Sequence, residues 1–102
     1  MITVGLLATI EAKPEHAQEV ADLLASAQQL AEQEDGTVVW FAFQTGPTSF
    51  GVFDAFPSDA ARQAHLNGQI AAALMAIAGE KLSSPPDIKA VDILARKITL
   101  DG

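Results

Sequence analysis

The chain has 102 residues, 49% of them hydrophobic and 19% charged, with a formal net charge of −7. That length and apolar content fit a single domain over residues 1–102 and exclude a disordered chain. Only six residues are basic and they are scattered, which excludes nucleic acid or an anionic membrane surface as partner, since both require clustered Lys and Arg.

Ile2 to Lys13 reads as a strand. Ile2, Val4, Leu6, Ala8, Ile10 and Ala12 alternate with Thr3, Thr9, Glu11 and Lys13 at period two. Its apolar run is interrupted and lacks a basic start, so it reads as a strand rather than a secretion signal. Pro14 ends the strand and opens a helix, with Glu15 placed where the helix dipole favours negative charge. That helix is expected to run to about Glu34. Val20, Leu23, Leu24, Ala27, Leu30 and Ala31 form its apolar stripe, and Asp35-Gly36 stops it.

Thr37 to Gln44 is a second strand, rich in β-branched and aromatic residues. Gly46-Pro47 marks a hairpin turn into a third strand, Phe50 to Phe56. Ser58 is placed to cap the next helix. Asn67-Gly68 breaks it, and Gln69 to Ala78 continues as helix. Ser83-Ser84-Pro85-Pro86 is a loop, followed by a last strand from Asp87 to Ile98. No apolar stretch approaches the roughly 20 residues of a membrane span. With no cysteine, disulfides, thiolate metal sites and Cys nucleophiles are excluded, and a cytoplasmic location is expected.

The order is β-α-β-β-α-β, the α+β, ferredoxin-like arrangement of two helices on one face of a four-stranded antiparallel sheet. The uncovered face of such a sheet should be polar. Here it is not. Val38, Trp40 and Ala42 alternate with Val39, Phe41 and Phe43, and Phe50, Val52 and Phe56 alternate with Phe53 and Ala55. Each Val, Ile or Phe left in water forgoes about 1.5–3 kcal/mol of burial. The expected cover is a second copy, so a homodimer packed through the sheet face is predicted.

Few residues carry chemistry. No phosphate loop, GxSxG, HExxH or dinucleotide fingerprint is present. His16 sits among Glu15 and Glu19 and reads as a solvated surface residue. His65 lies at the edge of an apolar stripe and is the one strong candidate for proton transfer near neutral pH. Asp54 lies mid-strand beside Phe53 and Ala55, where a carboxylate must be paired, hydrated or functional. Arg62 and Lys97 are its expected partners. Trp40 offers one N–H donor from a packing position, and Asn67 reads as a helix-end residue.

Several segments together resemble the antibiotic-biosynthesis monooxygenase (ABM) domain family, which includes quinol monooxygenases. They are the opening strand into Lys13-Pro14, Glu34-Asp35-Gly36 leading to Trp40 and Phe43, Phe53-Asp54-Ala55-Phe56 followed by Ala64-His65-Leu66, and Pro85-Pro86. The resemblance covers nearly the whole chain. It implies a dimeric α+β barrel and an oxidoreductase without flavin, haem or metal cofactor, acting with O2 on a quinol or polycyclic phenol. By the same resemblance His65 and Asp54 are catalytic candidates, and Trp40, Phe43, Phe56 and Asn67 are substrate-binding candidates. The chain departs from the family in having no Tyr, so a phenolic side chain takes no part. Phe56 stands where Trp is common, and the pattern disfavours haem degradation. A dimer that binds small aromatic ligands without turnover, and an isomerase or cyclase on the same fold, are the competing readings.

Overall fold

The computed structural model describes residues 1–99. Strand β1 (Val4–Glu11) leads through a 3-10 turn at Pro14–His16 into helices α1 (Ala17–Ser26) and α2 (Gln28–Glu32). The hairpin of β2 (Val39–Gln44) and β3 (Ser49–Phe56) follows, then α3 (Asp59–Leu66), α4 (Gln69–Lys81) and β4 (Asp87–Asp92). The sheet order is β2-β3-β1-β4, with every neighbouring pair antiparallel. This is the ferredoxin-like α+β fold expected from the element order.

The alternation along β1 does what period two requires. Leu6, Ala8 and Ile10 are buried under the helices, and Ala12 bridges to Leu82. Their cross-strand partners share that face: Asp54, Val52 and Phe50 on β3, and Trp40 and Ala42 on β2. Val20 and Leu24 of α1 and Leu74 of α4 close the core from the other side. Ser58 caps α3 as expected, its hydroxyl accepting from the Ala61 N–H at 3.2 Å.

Two elements differ from expectation. The first helix is not continuous to Glu34 but breaks at Ala27. Ser26 donates its hydroxyl to the Leu23 carbonyl at 2.8 Å, an alternative to the helical ladder that bends helices. The break turns Ala27 and Ala31 toward Ile70 of α4 and toward Trp40. The last strand ends at Asp92, not Ile98. Asp92 pairs with Val4, the first residue of β1, and one further bond runs from the Ile93 N–H to the Thr3 carbonyl. Beyond that point β1 offers no partner.

The outer face of the sheet carries Leu7, Val39, Phe41, Phe53 and Val91. Phe41 is 62% exposed. A hollow on this face is bordered by Phe41, Phe53, Ala55 and residues of the 93–99 segment. Among the described residues, no helix is long and apolar enough to cross a membrane.

Candidate active site

His65 occupies the last turn of α3 and is only 7% exposed. It lies seven positions after the Ser58 cap, about two helical turns into the helix. Its Nε2 lies 2.8 Å from Asp54 Oδ2 on β3, and its Nδ1 lies 2.6 Å from Glu34 Oε1 on the loop that enters β2. The Thr37 hydroxyl donates to the same Glu34 oxygen at 2.7 Å. Phe56 packs against the imidazole, with ring centroids 5.3 Å apart, and is itself fully buried. One histidine thus ties together α3, β3 and the α2–β2 loop.

Two nearby carboxylates decide the charge of the ring. Burial alone pushes the His65 pKa down. The hydrogen bonds and charges of Asp54 and Glu34 outweigh it and raise the value to about 9. The ring is therefore an imidazolium at neutral pH, and each of its N–H groups is committed to a carboxylate. Asp54 is 2% exposed, and its second oxygen, Oδ1, is buried with no hydrogen-bond partner among the described residues.

Asp54 and His65 form the polar end of a cavity of about 80 Å³ between the sheet and the helices. Most of the remaining wall is aliphatic, including Leu6, Leu24, Leu30, Val52, Ile70 and Leu74. Such a cavity lowers the local dielectric, which strengthens each polar interaction at its end.

The structure brings two of the sequence candidates, His65 and Asp54, onto one cavity wall and places the others elsewhere. Trp40 is the cross-strand partner of Asp54 and packs beside Ala27, Ala31 and Ile70. Its indole N–H is buried without a partner among the described residues. Phe56 backs His65 rather than facing the cavity. Phe43 lies on the outer sheet face, its ring over Gly51, where an added Cβ would fall 2.4 Å from the ring. Asn67 ends α3, its backbone N–H bonded to the Gln63 carbonyl.

The expected partners of Asp54 are not those found. Arg62 instead binds Asp59 at 2.7 Å and the carbonyls of Gly5 and Val91. Lys97 lies in the exposed segment along the outer face, across the sheet from Asp54. His16 pairs with Glu19 at 3.0 Å on the surface. Glu34 and Thr37 were missed as site residues. The available signal was position: Glu34 directly precedes the Asp35-Gly36 stop, where the chain turns back toward the sheet.

The fold is ferredoxin-like α+β, and it holds a buried His clamped between two carboxylates at the end of an apolar cavity. The model of the family "antibiotic biosynthesis monooxygenase" matches residues 3–76, and the chain belongs to that family. A solved protein of unknown function from Nitrosomonas europaea is 55% identical, with 99% of this chain and 98% of that one aligned and a TM-score of 0.94. A Pseudomonas aeruginosa protein shares the fold at 23% identity and a TM-score of 0.80, over 93% of this chain and 97% of that one. A Mycobacterium tuberculosis protein does so at 19% identity and 0.82, over 92% and 97%. No curated protein matches the chain.

Proposed function

We propose that the protein is a monooxygenase that oxidises a quinol-type hydroxyaromatic with O2, its electrons supplied by the substrate rather than by a resident cofactor. The observation that carries this reading is the Glu34–His65–Asp54 chain at the end of an apolar cavity. Family membership supplies the reaction class. The substrate hydroxyl gives its hydrogen to a carboxylate oxygen, and the electron-rich ring that results passes electrons to O2. One oxygen atom enters the ring, the other leaves as water, and the ring departs as a quinone poorer by two hydrogens.

The residues divide the work by which atoms they have free. Both nitrogens of His65 are occupied, so the atom left to meet a hydroxyl is Asp54 Oδ1. His65 acts through Asp54. It fixes the carboxylate by a charge-assisted bond and places a positive charge beside the oxygen where negative charge develops. Glu34 holds the ring in place from behind. The aliphatic walls exclude water, which protects the reduced-oxygen intermediates from side reactions.

The apolar outer face supports a homodimer through the sheet. Phe41, Phe43 and Phe53 would then be covered by their counterparts, as the burial argument requires.

Oxygen uptake with a panel of quinols tests the function. The wild type should consume O2, and His65→Ala should lower the rate by at least about 100-fold, the scale of a lost preorganised charge. Equal rates in the two proteins remove His65 from the mechanism. Turnover under nitrogen at the aerobic rate selects an isomerase or cyclase instead.

A further inference from the structure

The cavity between sheet and helices holds about 80 Å³, less than the roughly 150 Å³ in which one benzene fits. A ring enters it only if a wall moves. Most walls are fixed. Leu6 and Val52 sit on the paired strands β1 and β3, and Leu24 and Leu74 are buried in α1 and α4.

The wall that contains Leu30 is different. Of residues 28–36, only Ala31 is buried, while Gln28, Gln29, Glu32, Gln33 and Asp35 are exposed. The chain is tied down on either side of this segment. The Ala27 N–H donates to the Leu23 carbonyl at 3.0 Å, and the Val38 N–H to the Ala55 carbonyl at 3.1 Å. Between those points the backbone bonds are local, such as Ala31 to Ala27 and Thr37 to Glu34. The apolar hold is small, with Ala31 and the half-buried Leu30 against the Ile70 cluster. Few buried contacts and local backbone bonds are the marks of a segment that opens readily.

One side chain fastens its far end. Glu34 Oε1 lies 2.6 Å from His65 Nδ1, and Glu34 Oε2 sits over Gly68, where an added Cβ would come 3.0 Å from it. Among the described residues, no other side chain of 28–36 hydrogen-bonds outside the segment. Gly36 rests on α3, so close that a Cβ there would fall 2.8 Å from the Ala61 Cβ.

We propose that residues 28–36 are a lid over the cavity, jointed at Ala27 and before β2, and that the Glu34–His65 contact is its latch. Lifting the lid withdraws Leu30 from the wall and admits a six-membered ring. Latch and polar end share one imidazole: Nδ1 holds Glu34 while Nε2 holds Asp54. The lid therefore closes on the same ring that orients the carboxylate. The inference rests on the cavity being the ligand site of the proposed function, but it needs no oxygen chemistry.

The exchange rate of fluorobenzene with the protein, read by fluorine NMR, tests it. Fluorobenzene should bind the wild type, and Glu34→Ala should speed its exchange about fivefold or more. Gly36→Cys together with Ala61→Cys should lock the lid, because about 1 Å of give brings the two Cβ atoms to disulfide spacing. The chain has no other cysteine, so oxidation forms only that bond. The oxidised protein should exchange fluorobenzene at least tenfold more slowly than the same protein reduced. Amide hydrogen exchange gives a reading without the crosslink. Residues 28–36 should exchange faster than α4 in the wild type, and about tenfold faster again in Glu34→Ala, with α4 within twofold. The lid is overturned if fluorobenzene does not bind the wild type, or if the oxidised and reduced proteins exchange it equally. Equal protection of 28–36 and α4 overturns it as well. So does entry that is slowed by Ile88→Trp, at the β4 side of the cavity, and not by the disulfide. An unchanged rate in Glu34→Ala removes the latch. Fluorobenzene carries no hydroxyl to oxidise, so a failed lid and a failed oxygen assay are distinguishable.

Discussion

The charge on His65 has a consequence for stability that can be worked from the structure. In the unfolded chain the imidazole loses its proton near pH 6.5; in the folded protein Asp54 and Glu34 hold that proton up to about pH 9. Below 6.5 both states are protonated and the full contribution to stability is present. Between the two values the folded state binds the extra proton, so unfolding becomes easier as pH rises, with a slope of up to about 1.4 kcal/mol per pH unit. Over the whole interval the loss is about 3 kcal/mol, and above about pH 9 nothing more is lost through this group. That is a sizeable part of the 5–15 kcal/mol by which small domains are stable. The assay is urea unfolding followed by fluorescence of Trp40, the chain's one tryptophan, at fixed protein concentration from about pH 6 to 10. His65→Gln is the control and should flatten the profile. A wild-type loss below about 1 kcal/mol over that range, or the same loss in His65→Gln, would refute the assignment of a clamped imidazolium.

Phe41→Glu should weaken the proposed dimer about 100-fold or more in sedimentation equilibrium, because two-fold symmetry removes two buried Phe side chains at about 1.5–3 kcal/mol each. Gly5→Ala should destabilise the fold by about 1–3 kcal/mol in the same urea assay, since its Cβ would lie 2.7 Å from the Asp54 backbone carbonyl and must push β1 from β3. Ser58→Ala should cost about 1 kcal/mol by removing the α3 cap, and it should broaden the His65 ring resonances by loosening the helix that carries them.

The parts of the fold that rest on local pattern could be read directly from the chain. Period-two alternation placed β1, β-branched and aromatic content placed β2, the Gly46-Pro47 turn placed β3 after it, the residues of β2 and β3 pointed to a sheet apolar on both faces, and Ser58 announced its helix. The site was half legible. An isolated His on an apolar stripe and a carboxylate between Phe53 and Ala55 both called for an explanation, and the structure places them 2.8 Å apart. Glu34 was not legible as their third member. It lies 31 positions before His65, and on a helix it reads as one more solvated carboxylate. Only the break at Ala27 and the turn at Asp35-Gly36 bring it inward. The placement of Phe43 with Trp40 at one site conflicts with strand parity, since residues three apart in a strand face opposite ways. The end of β4 depends on where β1 runs out, which is a property of register and not of either strand's own sequence.

The fate of oxygen tests the proposed monooxygenase function most directly. With labelled O2 and a one-ring hydroquinone, the wild type should place one labelled atom in the quinone product and release the other as water, and His65→Ala and Asp54→Asn should each abolish that incorporation while still folding. Product that carries no label, or label incorporated equally well by the two variants, would contradict it.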